Sequence, residues 1–315
     1  MSALSDMLNR LRGLEPEAVF GLKPPYPPVA LQVSPGEAVL VRVKQRRRGR
    51  PLLETYQVRE ISDPVIPSSI FQPVSGSTEE LTKLLQGLFE RSGTRPGRVS
   101  LVLPDNLAKI SLIGLPERPS SRKHLQELVN SKMRKAVPFK LNEAVISYQL
   151  LPGEGRSASV LVVLARRLLV ERFERVLTSL GARPGLVDIS TPNLLNLERS
   201  IIAKSAPNGS DVGLLNCARN YFSLVILRGG RLIFFRCKTF SIDEGISNGP
   251  NGVLVREMAT SFSYYREKLA GEGVRKILVR TVSTPYEEIA EKLSGLGVDE
   301  VQELSVTRGM ELIAW

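Results

Sequence analysis

Cysteine and histidine are nearly missing from this 315-residue chain, where Cys217, Cys237 and His124 are all there is of them. Two distant cysteines cannot staple a small secreted scaffold or complete a four-ligand zinc site, and His124 in a helix-like stretch reads as an ordinary helix residue. No run of about 20 apolar residues is present, so no segment is expected to span a bilayer. The opening MSALSDMLNRLRGL is interrupted by Asp6, Arg10 and Arg12, which is wrong for a secretory leader, and the protein is expected to stay inside the cell. Walker sequences, nucleophile elbows and the aromatic ribonucleoprotein motif are lacking as well. Metal, histidine and nucleophile chemistry are therefore poor expectations.

What the chain has in excess is positive charge, 43 Lys and Arg against 32 Asp and Glu, a formal net charge of +11. Much of the excess sits in Lys44 to Arg50 (KQRRRGR), between strands expected at 39–43 and 52–58, where Gly49 and Pro51 make it the turn of a hairpin. Arg46, Arg47, Arg48 and Arg50 could meet anionic lipid head groups or nucleic acid, or could simply solvate a loop. No aromatic residue interleaves with them, so the stacking part of single-strand binding is absent. Ahead of the globular part, Ala3, Leu4, Met7, Leu8, Leu11 and Leu14 recur at three- and four-residue intervals and predict a short amphipathic helix. The stretch Lys23 to Pro28 (KPPYPP) then forms a stiff spacer. That helix could lie on a membrane, bind a partner or fold back; docking on protein is preferred, because only Arg10 and Arg12 are left for lipid.

Residues 29–33, 38–43 and 52–61 read as a strand meander, 78–92 as an amphipathic helix through Leu81, Leu84, Leu85, Leu88 and Phe89, and 99–103 and 108–112 as apolar strands. Pro104-Asp105-Asn106 between the last two is turn-rich. Strand segments at 211–215, 221–227 and 231–239, with a Gly229-Gly230 hairpin turn, repeat this layout, followed by a helix around 257–265. Between the two lies Ser111 to Leu151: Leu115-Pro116 closes an apolar run, Ser120 or Ser121 caps a helix carrying Leu125, Leu128, Val129 and Met133, Pro138 stops it, and Phe139 follows as a bulky plug before a strand ending at Leu151.

This block resembles the PilM family, actin-like cytoplasmic proteins of type IV pilus machines, and more distantly the cytoplasmic domain of GspL in type II secretion. The segment 160–165, the helix 168–181 and the stretch ARPGLVDISTPNLLNL are similar to the family's next strand, helix and turn. The resemblance implies an α/β, actin-like two-lobed fold: ribonuclease-H-like halves with an inserted subdomain. It divides the chain into a helix and spacer at 1–28, a first half at 29–117, an inserted subdomain at 118–181, a return to the first half at 182–210 and a second half at 211–315. It also gives Asp188 the role of a turn-capping aspartate rather than a catalytic one.

Proteins of this fold hold phosphates on two turns led by an aspartate and containing glycine, which admits backbone N–H groups while the acid positions Mg²⁺ or its waters. Against that pattern the first turn has Gln32, Ser34, Pro35 and Gly36, and the second has Asn216, Cys217 and Ala218. Pro35 removes one donor. Arg280 to Pro285 stands where a serine-glycine-glycine turn would admit adenine, and Glu257, where a ribose contact is often found, is expected to be a solvated helix residue. Gly245, Gly249 and Gly252 read as a plain flexible loop. The expectation is a degenerate nucleotide cleft, no cofactor and no catalysis, with binding of ATP and Mg²⁺ as the alternative.

The function implied is a scaffold at the cytoplasmic face of the inner membrane in a pilus or type II secretion platform. It would receive the cytoplasmic tail of a PilN-like membrane partner at a groove near Lys132, Lys135, Pro138, Phe139 and Lys140, although Pro138-Phe139 reads equally as a core plug. A pilus motor or platform protein and further copies of the chain are additional partners under this resemblance, and the family's place beneath the membrane favours lipid over nucleic acid for the basic turn. An ATP-gated PilM-type ATPase and a nucleic-acid-binding protein are the competing readings.

Overall fold

Val29, Leu31 and Val33 alternate along the chain and are all buried, which sets β1 (Val29–Ser34) in the middle of a sheet. The computed structural model describes residues 27–44, 46, 51–61, 65–74, 76–153, 155–197, 202, 210–241, 252–305 and 311–312. The amphipathic N-terminal stretch, Arg47, Arg48 and Arg50 of the basic turn, and Gly245 and Gly249 lie outside the described residues.

From β1 the chain turns at Pro35-Gly36 into β2 (Glu37–Lys44) and returns as β3 (Leu52–Glu60), an antiparallel meander. Helix α1 (Thr78–Ser92) starts where Ser77 Oγ accepts from the Glu79 and Glu80 amides and crosses over the sheet, so that β4 (Arg98–Leu103) joins β1 in parallel. The chain then leaves the sheet through β5 (Ala108–Leu115), α2 (Arg122–Arg134), β6 (Ala144–Pro152) and β7 (Ala158–Arg166). These strands form their own three-stranded sheet, β5-β7-β6, packed on Leu125, Val129 and Met133 of α2. Helix α3 (Arg167–Ser179) brings the chain back, β8 (Arg183–Ile189) adds parallel to β4, and the short β14 (Glu311–Leu312) edges β3.

The inserted subdomain therefore runs nearer 108–166 than 118–181. All of β5 is paired with β7, while Leu169, Phe173 and Leu177 of α3 are buried in the first-half core with Leu81, Leu85 and Leu101.

After α4 (Ser190–Leu197) the second half repeats the plan: β9 (Asp211–Cys217), β10 (Tyr221–Arg228) and β11 (Arg231–Thr239) are antiparallel. Then α5 (Val253–Leu269) leads to β12 (Lys276–Thr281) and α6 (Tyr286–Ser294) to β13 (Glu300–Glu303), both parallel additions. Gly229 and Gly230, at φ 53° and 77°, make the expected hairpin turn. The strand orders β3-β2-β1-β4-β8 and β11-β10-β9-β12-β13 are the same, so the chain is a pair of ribonuclease-H-like halves in an actin-like arrangement. Every residue of β9 is buried because α5 and α6 cover one face of its sheet while Leu194 of α4 and Ile202 pack with Leu214 and Val225 on the other. That packing joins the halves and brings the β1–β2 and β9–β10 turns together.

Candidate functional site

Between the halves the two turns touch through one side chain. Gly36 has φ +93°, and a methyl group added to it would come within 2.8 Å of Arg219 Nη1 and 3.1 Å of Arg219 Cδ. Arg219, from the second-half turn, thus lies across the backbone of the first-half turn. Ser34 is buried with its Oγ donating to the Glu37 carbonyl at 3.3 Å, and the Ala218 amide donates to the Tyr221 carbonyl at 2.8 Å. Gln32 sits half-buried in β1 opposite Val39.

Below this contact is a buried polar network centred on Asp105, which is fully buried at the end of β4. Its Oδ1 accepts from the Thr191 amide at 2.9 Å and its Oδ2 from Ser223 Oγ at 2.6 Å and from Thr191 Oγ1. Thr191 Oγ1 accepts in turn from Asn216 Nδ2 at 2.8 Å, and Arg280 Nη1 donates to Asn216 Oδ1 at 2.9 Å. The first half supplies Asp105, α4 supplies Thr191, and the second half supplies Ser223, Asn216 and Arg280. Burial pushes the Asp105 carboxyl up from its ordinary range, against the three donors that favour the anion.

Magnesium and a triphosphate require an acid at these turns and backbone amides open to oxygen. Gln32 and Asn216 are amides, Asn216 is committed to Thr191 and Arg280, and Arg219 takes the space above Gly36. Neither turn therefore supplies a carboxylate of its own, and at Gly36 the Arg219 side chain lies against the backbone. Glu257 is placed elsewhere: it is half-buried and paired with Arg236 at 2.7 Å and Lys238 at 3.2 Å, because these two cations alternate onto the face of β11 that meets α5. Asp188 Oδ1 accepts from the Ile189 amide at 2.8 Å at the start of α4, and burial raises the thiol pKa values of Cys217 and Cys237.

A second place gathers exposed apolar side chains. Arg166 and Arg167 close the junction between the first half and the inserted subdomain: Arg166 Nε donates to the Ile70 carbonyl at 2.8 Å, and Arg167 Nη2 to the Ala144 carbonyl at 2.8 Å. Ile70 of the first half is buried in the subdomain core. The Arg166 guanidinium stacks 4.0 Å from the centroid of Phe139, which is half-buried against that core, while Pro138 is exposed and Val137 is the buried plug. Lys132, Lys135 and Lys140 are exposed around it. Next to the bonded positions stand Phe71, Leu168 and Val145, at 52%, 55% and 38% exposure. Sequence reading missed these three, since Leu168 continues a helical stripe and Phe71 sits in a Pro- and Ser-rich loop.

No curated protein matches the sequence. Among solved structures, a PilM–PilN type IV pilus biogenesis complex superposes with a TM-score of 0.74 at 18% identity, over 92% of this chain and 91% of that one. A Bacteroides thetaiotaomicron protein with an actin-like ATPase fold and unknown function gives 0.52 at 10% identity, over 88% and 90%. Residues 33–244, from the first turn through the inserted subdomain and the Asp105 network into the second half, match the family described as type IV pilus assembly protein PilM, and the chain belongs to that family.

Proposed function

We propose that this protein is a nucleotide-independent scaffold at the cytoplasmic face of the inner membrane, and that the junction around Arg166 receives the cytoplasmic tail of a PilN-like membrane partner. The observation that carries the reading is Phe71, Val145 and Leu168, three large apolar side chains left exposed where two arginines bind the first half to the inserted subdomain. Lys132, Lys135 and Lys140 are exposed on either side of Pro138-Phe139 in the chain, where Arg166 stacks, and suit a tail with acidic residues beside apolar ones. The family match and the likeness to a PilM–PilN complex support it.

In this reading the Asp105 network does the work that nucleotide does in other actin-like proteins, holding the halves in one arrangement, and the protein is a degenerate pseudo-ATPase. A tail that orders on binding loses conformational entropy, so a micromolar Kd is expected on the order-of-magnitude scale. Fluorescence anisotropy with a labelled partner tail tests the site. Phe71→Asp and Leu168→Asp should each weaken binding at least tenfold without changing the melting temperature. Wild-type affinity in both variants would place the tail elsewhere.

A further inference from the structure

The loop between β3 and α1 is held by all three parts of the molecule, and tail binding as described uses only its tip. Ile66 is buried in the first-half core and Ile70 in the core of the inserted subdomain. Between and beyond these two pegs the loop is braced on itself. Gln72 Oε1 accepts from the Ser68 amide at 2.9 Å and from Ser68 Oγ at 2.8 Å, and the Phe71 amide donates to Ser69 Oγ at 3.3 Å. Residues 68–72 therefore shift as one piece, with Phe71 exposed toward one end and Ser68 at the other.

The Ser68 end meets the cleft. Asn106, buried just past β4, donates from Nδ2 to the Ser68 carbonyl at 2.7 Å, and its own backbone carbonyl accepts from the Ile70 amide at 2.8 Å. Its Oδ1 meets no donor among the described residues, so the loop receives the one bond this buried side chain makes there. The same Ser68 carbonyl is reached from the second half by Asn220 Nδ2 at 3.5 Å, a long bond from a side chain only 3% exposed. Asn220 follows Arg219 in the turn after β9, and its backbone carbonyl accepts from the Phe240 amide at 3.0 Å. At the other end of the loop, the Ile70 carbonyl accepts from Arg166 at 2.8 Å. One loop thus ties the side chain offered to the tail to the turn that lays Arg219 across Gly36.

We propose that this loop couples the tail site to the cleft, with Asn106 as its positioning residue. Seating of a tail on Phe71 and closure of the Ala218–Asn220 turn onto the first half favour each other. The proposal rests on the tail-binding reading and adds its regulation. Val145 and Leu168 stand on β6 and α3, whereas Phe71 stands on the loop, so the geometry of the three depends on where the loop is held. Holding it beforehand lowers the ordering cost of binding. Linkage makes the effect reciprocal: a tail that fixes Phe71 also fixes Ser68 and the bond that Asn220 makes to it.

The test is hydrogen exchange of the full-length protein, free and saturated with a synthetic peptide of the PilN-like partner's cytoplasmic tail, beside anisotropy titrations with the same peptide. In the wild type the tail should slow exchange roughly fivefold at the Phe240 and Ala218 amides, both of the second half. Asn220→Ala keeps the backbone bonds of the turn and removes only the link. It should bind the tail roughly two- to tenfold more weakly, and its Phe240 and Ala218 amides should no longer respond. Asn106→Asp has nearly the same shape but sets a carboxylate against the Ser68 carbonyl, and should weaken binding more than Asn220→Ala does. Wild-type affinity in Asn220→Ala, or tail binding that leaves exchange at Phe240 and Ala218 unchanged, would overturn the coupling. If Phe71→Asp still weakens the tail in that case, the tail site stands and only the coupling falls; absence of tail binding to the wild type would overturn both.

Discussion

Replacing Asp105 with alanine should be the most damaging single change in the cleft. The carboxylate is fully buried and accepts from the Thr191 amide, Thr191 Oγ1 and Ser223 Oγ, so its removal leaves three buried donors without a partner and a small void. Each orphaned donor costs about 1–3 kcal/mol, while relief from burying a charge offsets part of the sum, leaving a net loss of about 3–5 kcal/mol. At about 2–4 °C per kcal/mol for proteins above 150 residues, the melting temperature should drop by roughly 6–20 °C. Asp105→Asn keeps one acceptor and adds a donor that either hydroxyl can take, so it should lose only about 1–2 kcal/mol. The two variants also differ from wild type in pH dependence. Burial raises the folded-state pKa of Asp105 above its ordinary 3.8, so the fold binds this proton more tightly than the unfolded chain. Its contribution is fully present below 3.8 and is lost as pH rises through the folded pKa; Asp105→Asn should lack that rise in stability on acidification. Differential scanning calorimetry across that window, with hydrogen exchange at the Thr191 amide, reads both effects. A melting temperature for Asp105→Ala within about 2 °C of wild type would refute the network's part in joining the halves.

Three other changes probe particular contacts. Arg228 holds Asp211 through Nε at 3.0 Å and Nη2 at 2.9 Å and donates to the Leu269 carbonyl at 3.1 Å, so Arg228→Ala should cost about 2–4 kcal/mol by urea unfolding, mostly from leaving buried Asp211 without its cation. Gly36→Ala forces a side chain to φ +93° and against Arg219; a loss of about 1–3 kcal/mol is expected, and adding Arg219→Ala should recover part of it, whereas strict additivity would mean the two residues do not touch. Arg166→Ala removes the bond to the Ile70 carbonyl and the stack on Phe139, and should raise hydrogen exchange in residues 144–152 and 158–166 of the inserted subdomain more than in either half.

Much of the architecture was legible because local signals agreed with the fold. The cap at Ser120 or Ser121, which the structure places at Ser121, the Gly229-Gly230 turn and the repeated strand meander each mark one element, and the repetition points to two related halves. The subdomain limits were misjudged because strand pairing is not local: nothing in Ala108–Leu115 says that its partner is Ala158–Arg166 rather than β4. Glu257 looked like a solvated helix residue because its cations, Arg236 and Lys238, are about 20 positions away. The Asp105 network was hidden for the same reason, with Thr191 separated from Asp105 by 86 residues and Ser223 by 118. The amide side chains at Gln32 and Asn216 stand in the sequence for anyone to read; what could not be read was that Arg219 lies over Gly36.

Calorimetric titration of a synthetic PilN-like cytoplasmic tail into the full-length protein, first without nucleotide and then in millimolar Mg-ATP, tests the central claim most directly. Micromolar binding with the same affinity in both conditions is the predicted result, together with no thermal shift from Mg-ATP alone. Tail binding that appears only with Mg-ATP, or a clear stabilisation of the protein by the nucleotide, would contradict the account and make the cleft between Gly36 and Arg219 a working nucleotide site.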